Sequence, residues 1–294
     1  MSTSYLADPA AFPARAEGIP WGGGDAHFGV AGIPVHIEGL SPLQREAVER
    51  VYDVTGARPS NVNVSLFQVD PAIFRRIDPR GWNYSLDFDY GPSYTHLVGI
   101  DWMARLEWKA ESVSAGLWVS MEEPGGFHGA FENFLRVLAA HVLLLEGGVL
   151  LHSAAVVSSG GAHLFVGPSG AGKSTISHAA QSTGRSVVSD DLNVVTSGFG
   201  LGGSSFFSEI GTRREGSYPL RGIYRLEKGD EDALRPMGEG ETIASLIACA
   251  PFVNHSRFLA HRLWSNLSAL AKRAPGQVLT FRRQGTFWPL IESC

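Results

Sequence analysis

Cysteine is nearly missing from this sequence: of 294 residues only Cys249 and Cys294 carry a thiol. Two cysteines cannot build the disulfide framework of a small secreted domain. Cys249 lies in an apolar helical run and reads as a buried thiol, and the scarcity fits a reducing, cytoplasmic setting. Lysine is scarce too, four residues against twenty arginines, and the two together are outnumbered by acidic residues, 24 to 29. No basic excess of the kind that binds nucleic acid is present. Long apolar runs are also lacking. The most apolar segment, 134–157, is broken by His141, Glu146 and Gly147-Gly148, which argues against a membrane span. No cationic-then-apolar leader opens the chain, and no internal repeat is visible. At 44% hydrophobic and 18% charged residues, the composition is that of an ordinary globular protein long enough for one large or two modest domains.

What is present centres on Gly167-Pro168-Ser169-Gly170-Ala171-Gly172-Lys173-Ser174, a G-x-x-x-x-G-K-S loop followed by Thr175. Glycines let successive backbone N–H groups turn onto a polyphosphate, the lysine follows the β- and γ-phosphates, and the serine hydroxyl can enter the shell of Mg²⁺. A glycine-rich turn could carry Lys-Ser by accident, but the context is the one this motif requires. Ala162 to Val166 is an apolar strand pattern, and Ser174 to Ala180 continues as a helix whose N-terminus adds free amides. Ser186 to Ser189 then reads as a buried strand ending in Asp190-Asp191, placed to hold Mg²⁺ or accept a proton. Upstream, Val149 to Val157 is a strand containing His152, joined by Ser158-Ser159-Gly160-Gly161 to the loop strand as a hairpin. An antiparallel hairpin feeding the loop argues against an all-parallel sheet.

These residues resemble the HPr kinase/phosphorylase group, whose core is related to phosphoenolpyruvate carboxykinase. A histidine-bearing strand (His152), a G-x-S-G-x-G-K-S loop (Gly167 to Ser174) and an Asp-Asp pair one helix later (Asp190-Asp191) stand in the family's order. The resemblance covers about fifty residues. It implies ATP as donor (or ADP or pyrophosphate, as in some relatives), Mg²⁺, and a hydroxyl acceptor. It also implies that Lys173 holds phosphate, Ser174 and one aspartate ligate Mg²⁺, Asp190 takes the acceptor proton, and His152 orients or couples to that carboxylate. Thr175 replaces a family glutamate, and Leu220-Arg221-Gly222-Ile223 only faintly echoes a Glu-Ile-Arg-Gly-Leu-Gly stretch. The nearer resemblance is therefore to stand-alone HPr-kinase-like proteins that phosphorylate free serine or a peptide serine, and HPr is not the expected substrate. The rival reading is a nucleotide sensor with little transferase activity.

The remaining chain reads in order. Residues 1–24, with three prolines and Gly22-Gly23-Gly24, read as a tail, and Asp25 and His27 beside it as solvated loop groups. Ser41-Pro42-Leu43-Gln44 opens a helix by a capping box, with Leu43, Ala47, Val48 and Val51 as its buried stripe. Strand patterns at 61–66, 82–90, 93–100, 103–108 and 113–119 form an antiparallel meander. Its aromatic face, Trp82, Tyr84, Phe88 and Tyr90, reads as sheet core, with Asp87 and Asp89 on the wet side. Phe127 to Leu145 is the longest helix and the join to the core, and its His141 reads as a structural histidine. Ser197 to Gly203 reads as a glycine-rich turn, and Phe206 to Tyr218 includes a polar loop in which Arg213 and Arg214 can clamp a γ-phosphate. Helices at 242–249 and 258–272 and a closing strand and short helix at 278–291 complete the pattern. The expected fold is α+β / α/β: a tail (1–24), an N-terminal antiparallel α+β domain (25–126) and a mixed-sheet P-loop core (127–294). Expected partners are nucleotide and a hydroxyl-bearing acceptor, with no nucleic acid or membrane, and an oligomer is compatible with the pattern.

Overall fold

A computed structural model describes residues 18–52, 60–70, 86–99, 102–110, 112–120, 126–158, 160–203, 206, 208–211, 216–282 and 286–292. The chain divides into two compact units, Met1–Leu138 and Ala139–Cys294. Each holds one mixed sheet, and the described residues form sixteen strands and six helices. None of those helices is long and apolar enough to cross a membrane.

The first unit contains β1 (Ile19–Pro20), β2 (Gly24–Val30), β3 (Ile33–Leu40), α1 (Pro42–Val51), β4 (Val62–Val69), β5 (Asp87–Tyr90), β6 (Tyr94–Val98), β7 (Trp102–Lys109) and β8 (Ser112–Ser120). The division between units falls inside α2 (Gly126–Leu145). The strand order is β2-β3-β4-β8-β7-β6-β5, with β1 on β4. The antiparallel expectation holds from β5 to β8, but β3–β4 and β4–β8 are parallel. For β3–β4 the reason is α1, the helical crossover a parallel pair needs; β4 and β8 are separated along the chain by β5, β6 and β7, and polar/apolar alternation looks the same in either direction. The tail expectation also changes. Residues 1–17 are outside the described residues, while Ile19 and Pro20 pair with Gln68 and Phe67, and Gly24 opens β2.

The capping box of α1 forms as expected, with Gln44 N–H donating to Ser41 Oγ and Ser41 N–H to Gln44 Oε1. Its buried stripe is different, because Leu43 is 79% and Val51 37% exposed. Drawing the Gln44 side chain into the cap rotates the covered face onto Gln44, Val48 and Tyr52, and Tyr52 packs with Phe28 of β2 and Phe131 of α2. At the wet end of the sheet, Phe88 and Tyr90 stack at 5.3 Å and are half-buried. Asp87 is exposed, whereas Asp89 is half-buried and 3.8 Å from His96. Trp82 and Tyr84 lie outside the described residues.

The second unit contains β9 (Val149–Ser158), β10 (Gly161–Val166), α3 (Lys173–Ser182), β11 (Ser186–Ser189), β12 (Leu192–Val195) and β13 (Gly200–Gly202). It continues through β14 (Ser217–Lys228), β15 (Ala233–Pro236), α4 (Glu239–Ala248), α5 (Ala260–Arg273), β16 (Gly276–Phe281) and α6 (Trp288–Glu292). The expected hairpin is present: β10 runs antiparallel to β9, with Leu164 opposite Ala155. On its other edge β10 runs parallel to β14, which runs parallel to β16. Every residue of β10 is buried, and its near-continuous apolar pattern, interrupted only by His163, fits a strand covered on both faces. Phe165 stacks on Tyr224 at 5.3 Å and meets Trp288 edge-on at 5.9 Å, in a cluster with Ile176 and Ala180 of α3. Burying one such ring contributes about 2–3 kcal/mol. The glycine-rich stretch expected as a turn carries β13, and β14 begins at Ser217 within the expected loop, because Gly202 pairs with Ser217.

One buried amide ties the strands that carry the site. Asn193 of β12 donates through Nδ2 to Ser153 O (2.7 Å) and Ser153 Oγ (3.1 Å) on β9, and approaches Ser189 O (3.4 Å) on β11. Replacing it leaves buried carbonyls without a donor, a loss of about 1–3 kcal/mol. Asn193→Ala is expected to lower the unfolding free energy by that amount, read as a lower urea midpoint with an unchanged denaturant slope; an unchanged midpoint would show that the amide is not a structural tie.

Candidate active site

The loop leaves β10 at Val166 and enters α3 at Lys173 without a side-chain cap. Its turn is made by Gly170 at φ 77° and Gly172 at φ 115°, conformations that side chains rarely adopt. Gly172 is doubly constrained, because a Cβ there would stand 2.6 Å from Phe281 Cζ. Pro168, Ser169 and Gly170 are exposed, so the loop crest is open. The first-turn N–H groups of α3 have no intrahelical acceptor, by helix geometry. Lys173 is buried and folded back on its own loop, its Nζ donating to Gly167 O (3.1 Å) and Pro168 O (3.4 Å).

The two carboxylates stand in different surroundings. The register slips between Val187 and Ser189 where β11 pairs with β9, an irregularity of the kind that re-aims a side chain, and Asp190 follows at once. Asp190 is buried. Its Oδ1 accepts from Ser208 Oγ (2.5 Å) and Ile210 N–H (3.2 Å), while its Oδ2 accepts from Ser174 Oγ (3.3 Å). Its own N–H donates to Ser208 Oγ at 3.1 Å. Asp191 is half-buried, with Oδ1 3.6 Å from His152 Nε2. The backbone fixes this second pair: Leu192 stands opposite His152 in the β9–β12 ladder, and Ser153 N–H donates to Asp191 O at 2.9 Å.

His152 is held from a third direction by its N–H donating to Cys249 O at 2.7 Å, just beyond α4. Burial, and then the positive charge of Lys173, push its imidazole below the ordinary histidine range, against the opposing pull of Asp191 and Asp190. Both effects favour the neutral imidazole over the imidazolium. Cys249 is the buried thiol expected, free, with Sγ 4.0 Å from Gly167 O, and burial raises its pKa. Ser174 Oγ and Asp190 Oδ2 are hard oxygen donors at a spacing that suits Mg²⁺, whose neighbouring ligands about 2.1 Å away lie roughly 3 Å apart.

Residues 133–294 match the family model described as SynChlorMet cassette protein ScmC. The chain belongs to the ScmC family. The span of this ScmC-family chain that matches contains His152, the whole loop from Gly167 to Thr175, and Asp190-Asp191. No curated protein matches the sequence. Of the residues expected to form the ScmC-family chain's site, the structure brings together Lys173, Ser174, Asp190, Asp191 and His152. Arg213 and Arg214 lie outside the described residues. Sequence reading missed Ser208, the Ile210 amide and the Cys249 carbonyl, none of which has a local signal: Ser208 and Ile210 lie in an aperiodic stretch, and Ile210 and Cys249 act through backbone groups that every such residue has.

The strained turn of the loop can be tested without any ligand. Gly172→Ala combines a left-handed φ with a clash, so the unfolding free energy should fall by about 1–3 kcal/mol. Gly160→Ala, where an added Cβ meets nothing, should stay within about 0.5 kcal/mol of wild type. Equal stabilities for the two variants would refute the strained turn.

Proposed function

We propose that this protein is an ATP- and Mg²⁺-dependent kinase with a P-loop core of the HPr kinase/phosphoenolpyruvate carboxykinase kind, transferring a phosphoryl group to a hydroxyl. The acceptor would be a serine of a peptide or protein, or a small molecule. The observation that carries this reading is the convergence of two pairs beside one phosphate-type loop: Ser174 with Asp190, and His152 with Asp191. A site that only senses nucleotide has use for the first pair and none for the second.

In this reading Ser174 Oγ and Asp190 Oδ2 hold Mg²⁺, which when bound neutralises charge on the donor phosphates. Asp190 suits that role because Ser208 and Ile210 already fix its other oxygen. The proton of the acceptor hydroxyl then falls to Asp191, beside a neutral His152, rather than to Asp190 as the family resemblance implies. Lys173 must exchange the Gly167 and Pro168 carbonyls for phosphate oxygens, so donor binding requires its side chain to swing. Arg213 and Arg214 remain the proposed γ-phosphate clamp.

The test is transfer from γ-labelled ATP to serine-containing peptides and free amino acids, with ADP and pyrophosphate as alternative donors, read by mass spectrometry. Asp191→Asn should lower turnover on the order of 10²–10⁴-fold while nucleotide with Mg²⁺ still raises the melting temperature. Asp190→Asn should lose both. Wild-type turnover in Asp191→Asn would remove the base assignment, and nucleotide binding with no transfer to any acceptor would favour a sensor.

A further inference from the structure

A second cluster of ligating side chains lies in the first unit, on the face of the sheet opposite Phe28. In the β2–β3 hairpin, Val30 pairs with Ile33 across Ala31 (φ 56°) and Gly32 (φ 79°). Two left-handed residues in a two-residue loop make the turn whose twist matches the flanking strands, and this fixes the register. The register sets His27 directly opposite His36, and Asp25 two residues before His27 on the same face. The alternate residues Ala26, Phe28, Val35 and Ile37 are buried on the other face. The sequence hid this cluster, because Asp25 and His27 follow a glycine run that reads as loop, and their partner comes from another strand.

The geometry converges on one point. Asp25 Oδ2 is 3.5 Å from His36 Nε2 and 3.9 Å from His27 Nε2, and the three ligating atoms all lie within 4.8 Å of one another. Ligand atoms about 2.1 Å from a tetrahedral zinc ion are spaced roughly 3.4 Å apart. His36 Nδ1 lies 3.3 Å from Asn63 Oδ1 of β4; with the proton on Nδ1 donated to that amide oxygen, Nε2 is left with a lone pair for a cation. A metal-ligating histidine is oriented by such a bond from its other nitrogen. His27 Nδ1 is buried with no hydrogen-bond partner among the described residues, so no hydrogen bond from that nitrogen accounts for the orientation of this ring. The two imidazoles stack at 4.3 Å and 16°, which sets their Nε2 atoms side by side near the Asp25 carboxylate.

We propose that Asp25, His27 and His36 bind one divalent transition cation, zinc by ligand type, with a coordination position left open. Two imidazoles and one carboxylate suit zinc rather than Mg²⁺ or Ca²⁺, which take oxygen donors. Three protein ligands leave room for water or an oxygen of a bound molecule. Beside the cluster is a groove of ≈ 570 Å³ lined by Gly22, Gly24, Asp25, His36, Glu38 and Phe67, among others, and the open position is assigned to it. The proposal is independent of the kinase reading, because none of these residues belongs to the phosphate loop.

The test is a zinc titration by calorimetry on the full, untagged chain after chelator treatment. Wild type is expected to bind one equivalent that survives in Ser174→Ala/Asp190→Asn, which disables the other cation pair. Binding should vanish in His27→Ala/His36→Ala and weaken on the order of 10–100-fold in Asn63→Ala, which leaves all three ligands in place. Asp25→Asn provides a second ligand variant should the histidine pair fold poorly, and the metal-free melting temperature reports on folding. Co²⁺ should give the intense visible bands of a low-coordinate nitrogen/oxygen site in wild type and lose them in the variants. No zinc uptake by wild type, or an undiminished equivalent in folded Asp25→Asn and the double histidine variant, would overturn the proposal.

Discussion

The arrangement of the second unit depends on one buried strand with two unlike neighbours. β10 is covered on both faces and paired on both edges, antiparallel to β9 and parallel to β14. A strand so enclosed has no solvent face to slip toward, so its end at Val166 is a fixed point from which the loop departs. The antiparallel neighbour carries His152, and through its other pairings it places β11 and β12, hence Asp190 and Asp191. The parallel neighbour β14 supplies Tyr224, and β16 on its far side supplies Phe281; both close the core under α3, and Phe281 bars any side chain from position 172. The placement of the candidate site's side chains is in this sense a consequence of burial, with Asn193 stitching three strands together beneath the surface.

The site was legible in sequence where its parts are contiguous. A strand, a glycine loop, a helix and an acidic pair follow one another along the chain, and each has its own period or turn signal. The hairpin before the loop was equally readable, since Ser158 to Gly161 is a turn between two apolar runs. What could not be read was anything created by pairing distant segments. Parallel registry of β3, β4 and β8 leaves no mark in alternation, because side chains alternate identically in both directions. The grip of Ser208 and Ile210 on Asp190 comes from an aperiodic stretch, and the Cys249 contact to His152 uses a carbonyl that every residue possesses. The misread face of α1 shows a local rule overriding a pattern: the cap consumed Gln44, and Leu43 went to solvent.

The proposed chemistry and the family assignment rest on the same stretch of chain. The ScmC match begins at residue 133 and includes every described residue of the phosphate-type site, whereas the sheet from β1 to β8 lies before it. Within the matched span the charges are arranged in opposition: burial and Lys173 lower the pKa of His152, while two carboxylates separated by one peptide bond face different partners. In the proposed reading the two carboxylates would divide the work, one oxygen set holding a cation and the other taking a proton.

The claim on which the rest depends is that the loop from Gly167 to Ser174 binds the phosphates of a nucleotide with Mg²⁺. A calorimetric titration of the purified chain with ATP and Mg²⁺ tests it most directly, paired with the melting temperature at saturation. Saturable binding is expected, with a stabilisation of about 2.7 kcal/mol at a ligand concentration one hundred times Kd, and both signals should be lost in Lys173→Ala. A flat titration of the folded wild-type chain with ATP, ADP and pyrophosphate, each with Mg²⁺, would contradict it.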